Sequence, residues 1–220
     1  MDPTMPAPSL PKNVTVVEHP LARVKLARLR DERTLPREFR RNAQELAVLL
    51  AFAATRDLAT VAERIRTPLT ECEGARLVRP VVVVPILRAG LGMSEAILPF
   101  LGDATVGHIG MRRDETTHLP SSYYFNAPSQ LAEADVLVVD PMLATGHSAA
   151  DSIAKLKAEG AKRIRFICFL CAPEGIAHLT AQHPDIAIFT SAVDERLNER
   201  AYIFPGLGDA GDRYFGTLPA

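Results

Sequence analysis

The 220-residue chain lacks most of the features that place a protein quickly. It has no GxxxxGK(S/T) loop and no GxGxxG between a strand and a helix, which argues against a P-loop kinase and a Rossmann dehydrogenase. Its six histidines are scattered, without HExxH or an i, i+4 ligand pair, so no protein-built metal site is expected. Lysine and arginine number 25 against 26 aspartates and glutamates, and this balance leaves no global positive field for a nucleic acid or a membrane surface. No apolar run approaches the roughly 20 residues of a membrane-spanning helix. The proline-rich opening MDPTMPAPSLPKN has no signal-peptide core and reads as a flexible leader, residues 1–15, of a cytoplasmic protein. No internal repeat is apparent. These absences point to a small ligand.

Cysteine is scarce too. Of the three, Cys168 and Cys171 form a CxxC, but they lie in RIRFICFLCAP, an apolar run that reads as a strand. Redox and zinc pairs sit in turns or at helix starts, whereas residues three apart on a regular strand face opposite ways. Both thiols are expected to be buried and structural.

What is present fits one α/β domain over residues 1–220, since a single core accommodates this length. From Arg23 to Arg41 there are eight basic and three acidic side chains, which raises an RNA-facing patch. The interleaved Leu21, Val24, Leu26 and Leu29 favour an amphipathic helix with a solvated or subunit-facing side instead. A second helix is predicted over 39–65, with Leu46, Leu49, Leu50, Ala53, Leu58, Val61 and Ile65 as its apolar stripe. From Pro80 strands and helices alternate: strands over 81–87, 104–111, 135–140, 163–170 and 186–191, helices over 91–101, 148–159 and 174–182. That order implies a parallel sheet with right-handed crossovers. Residues 112–130 have no clean periodicity and read as a long functional loop or hairpin, a lid. The glycine-rich tail, 192–220, is irregular and is expected to build or cap a site.

The most informative stretch is ADVLVVDPMLATGHS, from Ala134 to Ser148. Val136 to Val139 have the continuous aliphatic character of a strand buried on both faces. Asp140 follows at its carboxyl end, where open α/β sheets bind ligands. The turn Ala144, Thr145, Gly146, His147, Ser148 then offers small side chains and unpaired N–H groups at a helix start, a place for a phosphate. Taken alone, the loop admits a capping box of Ser148 with Asp151 equally well. Two further glycine-bearing loops, PILRAGLGM over 85–93 and PGLGDAGD over 205–212, allow one ligand to be enclosed from several sides.

Together these motifs resemble the uracil phosphoribosyltransferase family. The likeness runs from His19 to Thr217 through HPL, ATRDL, VVPILRAGLGM, VGHIGMRRDE, VVDPMLATG, CAPEG, HPD and YIFPGLGDAGDRYFGT. It implies a phosphoribosyltransferase-type parallel-sheet core with flanking helices, an N-terminal helical extension and a C-terminal base-binding hood. The implied reaction moves the phosphoribosyl group of PRPP to uracil, giving UMP and pyrophosphate through an oxocarbenium-like sugar attacked by uracil N1, with no covalent nucleophile. On the matching residues, PRPP would be held by Arg88, Arg113, Asp140, Pro141, Met142, Leu143, Ala144, Thr145, Gly146, His147, Ser148 and Asp209. Thr145 to Ser148 would wrap the 5′-phosphate, Asp140 the ribose hydroxyls, and Arg88 and Arg113 the pyrophosphate. Main-chain groups of Ile203, Gly208 and Ala210, with Asp209 beside them, would read uracil. Catalysis would rest on Arg88, Arg113 and Asp209 by charge and positioning, with Mg²⁺ bound through PRPP. Tyr123 and Tyr124 would serve either lid closure or loop packing. The resemblance also implies a homodimer or larger homo-oligomer and allows a GTP effector; a regulator binding pyrimidine-operon RNA is the rival reading. His147 stands where the family usually has glycine. A left-handed backbone there would be strained, whereas a first-turn helical one would keep its N–H available, and the second is expected.

Overall fold

Two helices that begin on proline open the molecule. The computed structural model describes residues 10–113 and 120–217, and a short strand β1 (Val14–Val16) precedes α1 (Pro20–Arg30) and α2 (Pro36–Thr55). Proline suits the first helical position because that N–H has no partner within the helix. His19 caps α1 by accepting the N–H of Leu21. Leu26 and Leu29 from α1 and Phe39, Leu46 and Leu50 from α2 form the buried stripes.

α2 ends at Thr55 rather than Ile65. The Arg165 guanidinium takes the Ala54 carbonyl at the helix end and the Asp57 carboxylate just beyond it. Val61 and Ile65 lie instead on β2 (Thr60–Arg66), which pairs antiparallel with β3 (Glu71–Leu77) in a hairpin whose residues are exposed except for a partly covered Gly74. Helical spacing of apolar residues therefore overran the helix, because a tertiary contact sets its end.

The main sheet follows, with β4 (Val81–Leu87), α3 (Leu91–Leu101), β5 (Thr105–Val106), β6 (His108–Arg113), β7 (Pro120–Asn126) and β8 (Asp135–Val139). Then come β9 (Met142–Leu143), α4 (His147–Ala158), β10 (Arg163–Cys171), α5 (Pro173–Gln182) and β11 (Ala187–Val193). Its order is β1-β11-β10-β8-β4-β6-β7, parallel throughout except for β7, which returns antiparallel along β6. The strand expected over 104–111 is thus two, β5 and β6, parted at Gly107. Successive residues of β4 and β8 face different cores. Val81, Val83, Leu137 and Val139 pack with α1, α2 and α3. Val82, Val84, Val136 and Val138 pack with α4 and α5. Burial on both faces is why these strands are uninterrupted runs of aliphatic residues.

Three details depart from the sequence reading. Val14 and Thr15 are not leader but strand, held on β11, with Asn13 Nδ2 donating to the Ile186 carbonyl at 2.8 Å; residues 1–9 lie outside the described residues. The tail is more regular than its glycines suggest, with β12 (Arg196–Leu197) antiparallel to β13 (Ile203–Phe204) and then α6 (Ala210–Phe215). Finally, Cys168 and Cys171 face the same core with their sulfurs 3.3 Å apart. The alternation breaks at Phe169 and Leu170, which both pack on the α2 side and both donate their N–H to the Pro141 carbonyl, at 2.9 and 3.2 Å, while the register with the neighbouring strands runs on unshifted. Both thiols are free and buried, and burial pushes that of Cys168 up. No helix among the described residues is long and apolar enough to cross a membrane.

Candidate active site

The loop from Asp140 to Ser148 turns on Gly146, whose φ of 83° is left-handed. A Cβ there would lie 2.8 Å from the Gly175 carbonyl, and one on Gly175 would lie 2.4 Å from the Ala144 carbonyl. Backbone is pressed on backbone, which accounts for the glycine of CAPEG. α4 starts at His147 with Gly146 as its N-cap and no side-chain cap, so the Ser148–Asp151 capping box does not form. The first-turn N–H groups have no partner within the helix and face outward at its positive end.

His147 occupies the first helical turn, since Ala201 alone among the described non-glycine residues has positive φ. Its exposed ring lies against that of His178 on α5, centroids 4.3 Å apart. Burial, and then His147, hold the His178 imidazole below its ordinary value. The imidazole thus has a protein partner, while the backbone N–H, in the first helical turn, has no partner within the helix.

Asp140 follows β8. Desolvation pushes its carboxyl up to about 7, a hydrogen bond from the Met142 backbone opposes this, and the Asp209 carboxylate adds to it. Pro141 and Leu143 are buried: the Pro141 carbonyl accepts the N–H groups of Phe169 and Leu170, and the Leu143 side chain fills the core. Those two can offer a ligand only main chain.

Ala89, Met142, Ala144, Ala201, Tyr202, Ile203 and Gly208 to Gly211 enclose a cavity of about 200 Å³. The loops after β4 and β8 and the tail meet there. It is smaller than the roughly 300–1,000 Å³ of sites for drug-sized ligands, as suits a single small ring. Ile203, Gly208, Asp209 and Ala210 were expected there; Ala89, Ala201, Tyr202 and Gly211 were not. Tyr202 opens the YIFPGLGDAGD motif, so the signal was present without a role attached. Asp209 also caps α6, its Oδ1 accepting the Asp212 N–H at 2.8 Å, as the Asp-x-x-Asp spacing allows. A larger cavity, about 670 Å³, opens between α1 and the end of β11 but shares no lining residue with the three loops.

The Arg88 guanidinium lies 6.0 Å from the Phe215 ring of α6; Arg88 does not itself line the cavity, whereas its neighbour Ala89 does. Arg113 ends β6, and its side chain lies outside the described residues, as do residues 114–119 of the expected lid. The described part of the stretch expected to be a lid belongs to a hairpin of β6 and β7, with Tyr123 packed over Gly110. Among the described residues no group of three or more His, Cys, Asp or Glu is placed to hold a metal ion. In the arginine-rich segment, Arg30 bonds Asp194, Arg40 donates to the Tyr214 carbonyl, Lys25 and Arg41 share Glu45, and Arg33 pairs with Asp31. Arg30, Arg40 and Lys25 tie α1 and α2 to each other and to the tail, whereas the Arg33–Asp31 and Arg41–Glu45 pairs are local.

The family model described as uracil phosphoribosyltransferase matches residues 16–217. A uracil phosphoribosyltransferase of Sinorhizobium fredii is 51% identical over 205 residues, covering 93% of this chain and 98% of the relative. That of Dictyoglomus turgidum is 50% identical, covering 93% and 99%. Among solved structures, a protein from Aquifex aeolicus superposes with TM-score 0.89 at 32% identity, covering 94% of this chain and all of that one. A hypoxanthine-guanine phosphoribosyltransferase from Bacillus anthracis, at 16% identity and TM-score 0.51 over 72% of this chain and 80% of that one, shares the fold.

Proposed function

The chain belongs to the uracil phosphoribosyltransferase family, and from that premise we propose how its loops divide the reaction. The protein is an enzyme that transfers the phosphoribosyl group of PRPP to uracil, giving UMP and pyrophosphate. N–H groups of Thr145 to Ser148 take the 5′-phosphate at the uncapped start of α4. Asp140, ionised, accepts from the ribose hydroxyls. Arg88 and Arg113 neutralise the departing pyrophosphate with forked donors. Main-chain groups of Ile203, Gly208 and Ala210 read uracil across the small cavity. A backbone donor set against O4 would meet the cytosine amino group donor to donor, and such a mismatch discriminates strongly.

Closure of the β6–β7 hairpin over both substrates excludes water from the oxocarbenium-like sugar. Mg²⁺ bound with PRPP would supply further neutralisation of pyrophosphate charge. The donor set fits an ion held mainly by PRPP oxygens and water, with Asp140 and Asp209 the carboxylates at hand, since the Asp209 charge reaches Asp140 and helps to raise its carboxyl. We assign the enzyme to the cytoplasm and to a homodimer. The exposed β2–β3 hairpin, carrying Val61, Ile65 and Leu77 and, at its turn, a Leu69 that is 95% exposed, is the apolar surface a second copy would cover.

The observation that carries the site assignment is the meeting of the three loops around one small cavity beside the start of α4. The test is incubation with PRPP, Mg²⁺ and each free base in turn. UMP from uracil, with no nucleotide from cytosine or purines, is expected; no UMP would overturn the reading.

A further inference from the structure

The loop that carries the base-reading residues hangs from an ion pair with no part in the assignment above. Arg30, the last residue of α1, donates from Nη1 to Asp194 Oδ2 at 2.7 Å and to the Gly206 carbonyl at 2.8 Å, and from Nη2 to Asp194 Oδ1 at 2.5 Å. Asp194 Oδ2 also accepts the Gly206 N–H at 2.9 Å. Both backbone polar groups of Gly206 are therefore held by the pair. The Asp194 side chain is 5% exposed and that of Arg30 26%, so water competes little for these bonds. Asp194 is itself placed by its N–H on the Cys171 carbonyl, 2.9 Å away at the end of β10.

A second arginine crosses the same seam the other way. Arg213 of α6 donates to the carbonyls of Leu207 (2.8 Å), Asp31 (2.6 Å) and Leu29, with its guanidinium 4.6 Å from the Phe39 ring centroid. The carbonyls at the end of α1 and those of residues 206 and 207 are thus bound together by two planar, multiply donating groups, a role a lysine cannot fill. Gly208 and Ala210 follow within four residues of Gly206. The phosphate loop rests elsewhere, on the Gly146–Gly175 contact and on the Pro141 carbonyl, which accepts from Phe169 and Leu170 of β10.

We propose that Arg30 and Asp194 are positioning residues for the base subsite: they fix Gly206, and through it Gly208 and Ala210, without touching either substrate. This rests on the reading of residues 203–210 as the uracil subsite. It assigns to the N-terminal helix a task in substrate recognition, and it separates the two halves of the site. Loosening the pair moves the base-reading groups while the phosphate turn stays in place.

The test uses the full chain with Arg30→Lys and Asp194→Asn, made singly and together. KM for uracil is expected to rise at least about tenfold, with KM for PRPP changed less than about threefold and the double variant no worse than the poorer single one. Amide hydrogen exchange, read without substrates, is expected to quicken over 203–210 and to stay unchanged over 140–148. Parallel rises in both KM values, or exchange unchanged over 203–210, would overturn the proposal. Arg30→Lys keeps the charge, so it remains informative should Asp194→Asn fold poorly. If the parent protein makes no UMP, the functional reading fails, and the exchange pattern still decides whether the pair positions the loop.

Discussion

Asp140 is the residue whose environment has the clearest consequence for pH. Its carboxyl is pushed from an ordinary 3.8 to about 7 by desolvation, with the Asp209 charge adding to the effect. Ribose hydroxyls donate better to a carboxylate than to its neutral acid, so kcat/KM for PRPP is expected to climb as pH rises through about 7 and then level off. Asp140→Asn should lower that constant on the order of 10²-fold and remove the inflection; a wild-type profile flat across neutrality would sink the assignment. Stability responds in the opposite sense. The folded protein keeps this proton where the unfolded chain has released it, so the contribution is full below 3.8 and is lost as pH rises through about 7. His147 makes a contrasting case. Its N–H belongs to the helix start while its ring rests on His178, so His147→Gly should change the apparent PRPP affinity less than about tenfold, roughly 1.4 kcal/mol. A greater loss in a binding titration would mean that the imidazole itself meets phosphate.

Among the elements, legibility followed the source of the stabilising contacts. β4 and β8 declare themselves because each residue faces one of two cores, and α3 was bounded correctly at 91–101. β1 was hidden, since three residues that depend on β11 have no period of their own. The end of α2 was misplaced because the Arg165 guanidinium that fixes it comes from β10. The broken alternation that brings Cys168 to Cys171 goes with a carbonyl of another segment, Pro141, and no spacing rule on β10 alone reveals it. The hairpin of β2 and β3 was missed outright, yet it makes the most direct prediction at this scale. It forms a sheet of its own, so replacing residues 60–77 by a short turn should leave the core folded. The native mass by light scattering is expected to fall from dimer to monomer, and an unchanged mass would place the subunit contact elsewhere.

For the molecule as a whole, the site is a convergence of segments far apart in the chain, and that decided how much of it could be read early. The glycine-bearing motifs named the three loops, and the structure brings Ala89, Met142, Ala144 and residues 201–203 and 208–211 around one cavity. What the motifs could not convey was how the loops are held, because those bonds run from α1 and α6 across the fold. The same bonds bear on the rival reading, in which the arginine-rich segment faces RNA. Arg30, Arg33, Arg40 and Arg41 are bonded within the protein, and the formal net charge is −1. Sequence-independent RNA binding draws on free cations that release counterions from phosphates, so affinity falls by about 10³–10⁵ between 50 and 200 mM salt for proteins making many such contacts. With those arginines engaged, filter binding is expected to retain no RNA at physiological salt while the same preparation turns uracil and PRPP into UMP. Tight retention with a steep salt slope would show that the fastening bonds open to a nucleic acid, and would return the N-terminal helices to the role of an RNA-binding face.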